Sequence, residues 1–172
     1  SIEQAALPRT PSFSVNRVGE ESGITFAGIP LGHEFTSLVL ALLQVSGRAP
    51  KVDAALIEQI KGIKETYHFE SYISLSCHNC PDVVQALNQF ALLSPNITSE
   101  MIDGGLYQDL VSQRDIQGVP SVYLNGELFA NGKVVQIADL SGGVFCGGFK
   151  VDAKAVPFFK TGKQLRERLN GS

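Results

Sequence analysis

Cysteine is scarce in this 172-residue chain, three residues in all, which is too few for the bridged framework of a small disulfide-held domain. A basic excess is missing too: the net charge is −3, so the electrostatic footprint of a nucleic-acid binder is absent. No apolar run reaches membrane-spanning length, and the opening Ser1-Ile2-Glu3 has neither a basic n-region nor an apolar h-region. The sequence does not start with Met, which suggests a fragment or a processed chain. No GxGxxG follows a strand-like segment, so the phosphate-cradling turn of a dinucleotide site is lacking. What remains is a chain whose 44% apolar content is enough for one domain, or a domain and a half.

Two of the three cysteines stand in Cys77-His78-Asn79-Cys80. Before them, Tyr72, Ile73 and Leu75 read as the end of a strand; after them, Val83, Val84, Leu87, Phe90 and Ala91 recur at helical spacing. The spacing predicts a helix over 77–93 and places the pair at a strand-to-helix junction. There the free N–H groups and the dipole favour a thiolate on Cys77, expected to be the more exposed cysteine, and lower its pKa below the ~8.5 of a free thiol. Cys80, one turn on, is placed to resolve a mixed disulfide formed on Cys77. His78 reads as a solvent-facing tuner of that thiolate.

Some forty residues downstream, Gly118-Val119-Pro120-Ser121-Val122-Tyr123-Leu124-Asn125-Gly126 supplies a candidate cis-proline loop entering a β-branched and aromatic strand, with an Asn-Gly hairpin turn into Glu127-Leu128-Phe129. Strand, CxxC helix, strand, helix, Val-Pro strand and Asn-Gly hairpin, in that order, predict an α/β thioredoxin-like fold. The same cysteine spacing also fits half a zinc site, which His33, His68, His78 or Cys146 would complete, or a structural disulfide. No second CxxC or paired-His motif is present, and the βα context favours redox exchange. Cysteine usage of this kind suits a reducing cytoplasm.

Thr10-Pro11-Ser12-Phe13-Ser14-Val15 is similar to Val119-Pro120-Ser121-Val122-Tyr123-Leu124, and each is followed by a second short strand, Ile24-Thr25-Phe26 or Leu128-Phe129-Ala130. A helix is expected after each, the first with an apolar stripe of Phe35, Leu38, Val39 and Leu42, broadened by Leu40 and Leu43. One complete thioredoxin-like unit is thus preceded by a partial one. Residues 1–50 are read as a redox-inactive ββα half-unit, 51–66 as a bridging helix carrying Leu56, Ile57, Ile60 and Ile63, and 67–140 as the redox-active unit. Within that unit Ile97 to Ile102 is expected as a strand and Leu106 to Arg114 as a helix. Residues 141–172 are read as an irregular tail, with Cys146 a bystander and Thr161 to Leu169 a short basic segment forming a solvated face.

Two long stretches, Phe26-Ala27-Gly28-Ile29-Pro30-Leu31-Gly32-His33-Glu34-Phe35-Thr36-Ser37-Leu38-Val39-Leu40-Ala41-Leu42-Leu43 and Ser74-Leu75-Ser76-Cys77-His78-Asn79-Cys80-Pro81-Asp82-Val83-Val84-Gln85-Ala86-Leu87-Asn88, closely resemble the N-terminal domain of the flavoprotein component of bacterial alkyl hydroperoxide reductases, relatives of thioredoxin reductase. The likeness runs from about Leu7 to Leu140. It implies two fused thioredoxin-like units in one continuous sheet, with the active CxxC in the second. Electrons would pass from NADH and FAD on a reductase module, absent from this chain, through the CxxC to the disulfide of a two-cysteine peroxiredoxin.

The resemblance further implies that Cys77 attacks, Cys80 resolves, and Pro120 is the cis-proline beside them. Glu34 matches a glutamate that the family places near the redox cysteines, where a carboxylate handles a proton; its other reading is a first-turn residue complementing the helix dipole. Two departures stand out. The first βαβα half of the inactive unit is absent, which should leave a sheet edge and part of an apolar face uncovered, and the tail is unlike the family's linker. A free-standing glutaredoxin-like or disulfide-isomerase-like oxidoreductase and a zinc-holding interaction module are the alternative readings of the residues.

Overall fold

A computed structural model describes residues 2, 4, 6–50, 52 and 54–131, together with the backbone of 156–157. Six strands form one mixed sheet in the order β1-β2-β4-β3-β6-β7, with β1 Ser12–Ser14, β2 Ile24–Ala27, β3 Tyr67–Ile73, β4 Ile97–Asp103, β6 Ser121–Leu124 and β7 Glu127–Asn131. β2, β3 and β4 run parallel, while β1, β6 and β7 join antiparallel. The short β5, Gly118–Val119, pairs with β8, Val156–Pro157. The expected tail beyond 141, including Cys146 and the 161–169 segment, lies otherwise outside the described residues, as does any helix after β7.

The helices are α1 Phe35–Val45, α2 Ala54–Lys61, α3 Cys80–Leu93 and α4 Gln108–Gln113. α3 starts at Cys80, not at Cys77: Pro81 sits in its first turn, where a missing N–H costs nothing, and Asp82 faces the positive end of the dipole. Cys77 therefore belongs to the preceding turn. The hairpin between β6 and β7 has Asn125 at φ 50° and Gly126 at φ 89°, the paired positive φ values of a type I′ turn.

Strand alternation divides the core. Phe26, Phe69, Ile73, Met101 and Val122 point to the face covered by α3, whose Val83, Val84, Leu87, Phe90 and Ala91 are all buried against it. Ala27, Tyr72, Ile102 and Tyr123 point the other way, toward Val111 of α4 and Ile116. Phe13 of β1 stacks on Phe26 with ring centroids 5.4 Å apart.

The apolar stripe of α1 does not enter the core: the helix packs on α3 through Ser37, Ala41, Gln44 and Val45, while Phe35, Val39, Leu42 and Leu43 are exposed. Only Leu38 of the stripe leans on the core. The small packing face lets two helices lie close above one sheet, and the bulky face is turned away. β1 is an edge strand; among the described residues no strand pairs with its outer side.

Candidate active site

Parallel β2, β3 and β4 all finish at one end of the sheet, and the loops leaving them meet there, the usual position of a site in an open α/β sheet. β3 delivers the chain at Ile73, the Cys77 N–H donates to the Ser74 carbonyl at 2.9 Å, and α3 begins three residues later. Cys77 and Cys80 are joined in a disulfide with Cα atoms 5.5 Å apart. The backbone N–H of Cys80 donates to Sγ of Cys77 at 3.1 Å. This hydrogen bond singles out Cys77, because the donor that faces its sulfur here would stabilise negative charge on that sulfur once the bond is reduced.

The strand-to-helix context predicts Cys77 as the more exposed cysteine; instead, both are 0% exposed. Against this loop and the start of α3 lies the 3-10 turn Gly32–Glu34 that leads into α1. Gly32 has φ +57°, and a Cβ placed on it would stand 2.5 Å from the Leu75 carbonyl oxygen, so only glycine allows the two loops to touch. His33 donates its backbone N–H to that same oxygen at 3.1 Å. Its ring meets His78 with centroids 4.0 Å apart and planes inclined at 51°. Both imidazoles are exposed, so His78 does face solvent, with a neighbour that sequence spacing does not reveal.

Glu34 follows His33 and is completely buried. Neither carboxylate oxygen makes a hydrogen bond of ordinary length among the described residues. Burial pushes its pKa up to about 7; the nearby Ser37 hydroxyl offsets this only in part, and the negative charge of Asp82 adds to it. Asp82 lies two residues beyond Cys80, so the Glu34 carboxyl feels the charge of the first turn of the cysteine helix. Its side chain caps no helix N–H, which removes the local reason for a glutamate at this position.

The Val119–Pro120 peptide is cis. Ser121 pairs with Tyr72, so one step further along the register sets Pro120 level with Ile73, where the cysteine loop departs. Val119 shares the apolar cluster of Cys77 and Cys80. Thr10–Pro11 is also cis, and the Pro11 carbonyl accepts from the Gly28 N–H at 3.0 Å at the head of the loop that carries Gly32. The two Pro-Ser strands thus repeat in conformation as well as in letters. That repeat is the one available signal for Pro11; nothing in spacing or composition points to the Gly32 and His33 contact.

The structure does not bring His68 to the cysteines. It projects to the opposite sheet face, where Nδ1 is 2.7 Å from Thr98 Oγ1 and Nε2 is 3.6 Å from Glu100. Ligand atoms of His68, Glu70 and Glu100 lie within 4.8 Å of one another, but two guanidinium groups already serve the carboxylates: Arg9 bridges Glu70 and Glu100, and Arg114 meets Glu70 at 2.7 Å. Two positive and two negative charges balance without a metal ion. Arg114 also lies over the Tyr123 ring, 4.2 Å from its centroid.

A family model for a thioredoxin domain matches residues 68–142. Among curated proteins, an NADH dehydrogenase of Bacillus subtilis is 69% identical over 134 residues, which cover 78% of this chain and 26% of that protein. The F component of an alkyl hydroperoxide reductase of Staphylococcus aureus is 59% identical over the same extent. The chain therefore spans about a quarter of the length of these relatives. Among solved structures, the NTD_N/C domain of the alkylhydroperoxide reductase AhpF from Enterococcus faecalis is 35% identical with a TM-score of 0.68, over 73% of this chain and 61% of that one. A protein disulfide oxidoreductase from Aeropyrum pernix is 27% identical with a TM-score of 0.63, over 71% and 53%.

Proposed function

The chain corresponds to the N-terminal domain of the alkyl hydroperoxide reductase AhpF, a thiol–disulfide oxidoreductase module of thioredoxin fold, and from that premise we propose that it carries electron pairs to the disulfide of a two-cysteine peroxiredoxin in the cytoplasm. In the reduced chain the Cys77 thiolate attacks one sulfur of the partner disulfide, and the first partner thiolate leaves and takes up a proton. Cys80 then attacks Sγ of Cys77, the second partner thiolate departs, and the 77–80 disulfide is restored. Two electrons have moved from chain to partner. The observation that supports this division of labour is the hydrogen bond from the Cys80 N–H to Sγ of Cys77.

Glu34, raised to about 7 by burial, is suited to hold a proton while the thiols ionise in turn. Pro120 presents backbone groups to an extended partner segment and keeps metal ions away from the thiols. Re-reduction falls to a separate flavoprotein module holding FAD and using NADH, since this chain has no GxGxxG after a strand. In this reading residues 1–50 are the redox-inactive half-unit that covers the site, 51–66 the bridge and 67–140 the redox unit.

The test incubates the reduced Cys80→Ser variant with an oxidised two-cysteine peroxiredoxin, with Cys77→Ser as control. A stable mixed disulfide through Cys77 is expected in the first and none in the second. No adduct with the peroxiredoxin, alongside rapid exchange with glutathione, would replace this reading with a glutaredoxin-like one.

A further inference from the structure

The face that α1 turns to α3 carries Ser37 and Gln44 rather than large apolar side chains, and at its start a short run of hydrogen bonds has a fixed direction. The Thr36 hydroxyl donates to the His33 carbonyl at 3.0 Å. Its one hydrogen is thereby committed, and Thr36 Oγ1 can only accept from elsewhere. The Gln85 side-chain amide of α3 lies 3.3 Å from Thr36 Oγ1 and 3.3 Å from Ser37 Oγ. Thr36 thus decides which end of that amide faces α1: it is the NH2 group, which has a hydrogen for each oxygen. Ser37 Oγ is then an acceptor toward Gln85, and its own hydrogen is left to point elsewhere. Ser37 is completely buried, and one helical turn back on the same face is Glu34, equally buried, with neither carboxylate oxygen in a hydrogen bond of ordinary length. The Ser37 hydroxyl favours the ionised carboxylate there, against the effect of burial.

We propose, on the proton role given to Glu34 above, that Ser37 and Gln85 are positioning residues for that proton transfer: the amide on the cysteine helix turns the Ser37 hydroxyl toward the carboxyl, so that the ionised form meets a donor. In the exchange Cys80 loses its proton to the Glu34 carboxylate as it attacks Sγ of Cys77, and the protonated carboxyl then supplies the second departing partner thiolate. A buried carboxyl without a donor is held further toward its protonated form and is a poorer acceptor for the Cys80 proton. The donor comes from α1, and the amide that aims it from the helix that begins at Cys80. Both units therefore set the state of one group.

The helices packed against the turn that carries Glu34 are α1 and α3. α1 contains no charged residue, and α3 contributes Asp82 alone; His33 and His78 are exposed on the flanking loops. In the oxidised chain Cys77 and Cys80 are joined, so Glu34 titrates there without a neighbouring thiol.

Carboxyl carbon-13 NMR of the oxidised 172-residue chain, labelled in its glutamates, follows that titration, the Glu34 signal being the one lost in Glu34→Gln. Ser37→Ala is expected to raise the midpoint from about 7 by about 1 pH unit. Gln85→Met, which lets the Ser37 hydrogen turn away, should raise it by less, and should add nothing further on top of Ser37→Ala. An unchanged far-UV spectrum and an intact 77–80 disulfide certify the fold of both variants. An unmoved midpoint in Ser37→Ala would overturn the proposal, as would a Gln85→Met shift of equal size with and without Ser37. The rate at which the reduced chain reduces an oxidised two-cysteine peroxiredoxin gives the second readout: its pH inflection should rise with the Glu34 midpoint in Ser37→Ala. A moved midpoint with an unmoved inflection would overturn the proton role of Glu34 and leave the aiming of Ser37 standing.

Discussion

Glu34 and Glu100 are both buried, yet they stand in opposite electrostatic circumstances on opposite sides of the sheet. Glu100 has Arg9 and His68 beside it, and these partners outweigh burial, so its pKa is lowered. Glu34 has, among the described residues, no cation and no hydrogen bond of ordinary length, and burial raises it to about 7. On one face, charge is paired to hold the N-terminal segment onto the sheet; on the other, next to the cysteine helix, a carboxyl is left with its desolvation uncompensated. Burial alone therefore does not set the state of a carboxyl, and an uncompensated one costs stability that a purely structural role would not retain.

The strongest way to break the contrast is to strip the paired side of a cation. Arg9→Met leaves Glu70 and Glu100 sharing Arg114 and His68, and should cost about 3–5 kcal/mol in urea unfolding at neutral pH. The loss should shrink in acid as Glu100, whose pKa is lowered, takes up a proton. Comparable damage at pH 4 and pH 7 would show that Arg9 acts through packing instead.

Glu34→Gln removes the uncompensated charge. Because the folded pKa is above the unfolded one, the native state binds more protons between about pH 4.5 and 7, so wild-type stability falls across that window as pH rises. The variant should lack the fall, and its advantage over wild type should be about 3 kcal/mol larger at pH 8 than at pH 4. Glu100, with its lowered pKa, acts in the other direction: its contribution is present above the ordinary carboxylate range and is lost as pH drops below it. A pH-independent difference between Glu34→Gln and wild type would remove the basis of the contrast.

Gly32→Ala separates the two loops over the disulfide. The added methyl meets the Leu75 carbonyl and the positive φ at once, a penalty of about 1–3 kcal/mol. Reduction of the 77–80 disulfide by a small thiol should speed up as the cover lifts, and an unchanged reduction rate would locate the cover elsewhere. The smallest effect is expected from Arg114→Lys, which keeps the charge near Glu70 but gives up stacking on Tyr123, about 0.5–1 kcal/mol in a thermal melt.

Local chemistry is legible in the sequence wherever a few adjacent residues decide it. The Asn125-Gly126 hairpin, the Val119-Pro120 entry to β6, the helix after the cysteines and the Pro-Ser repeat all belong to this kind. Helical periodicity likewise announces that α1 is amphipathic, but it does not tell which side its neighbours occupy. The stripe of Phe35, Val39 and Leu42 is turned to solvent, because α3 accepts only the small face of α1. The approach of Gly32 to Leu75 beside the cysteine loop joins residues 43 apart, and the Arg9 bridge has partners 61 and 91 residues away. Such pairings leave no trace in spacing.

In the proposed exchange Cys77 is the sulfur that meets the partner, and Cys80 the one that waits. The most direct check is brief alkylation of the reduced chain with iodoacetamide at neutral pH, followed by peptide mapping of both sites. Preferential labelling of Cys77, at a rate well above that of an unperturbed thiol, is the result this structure predicts. Faster labelling of Cys80, or equal labelling of the two, would contradict it.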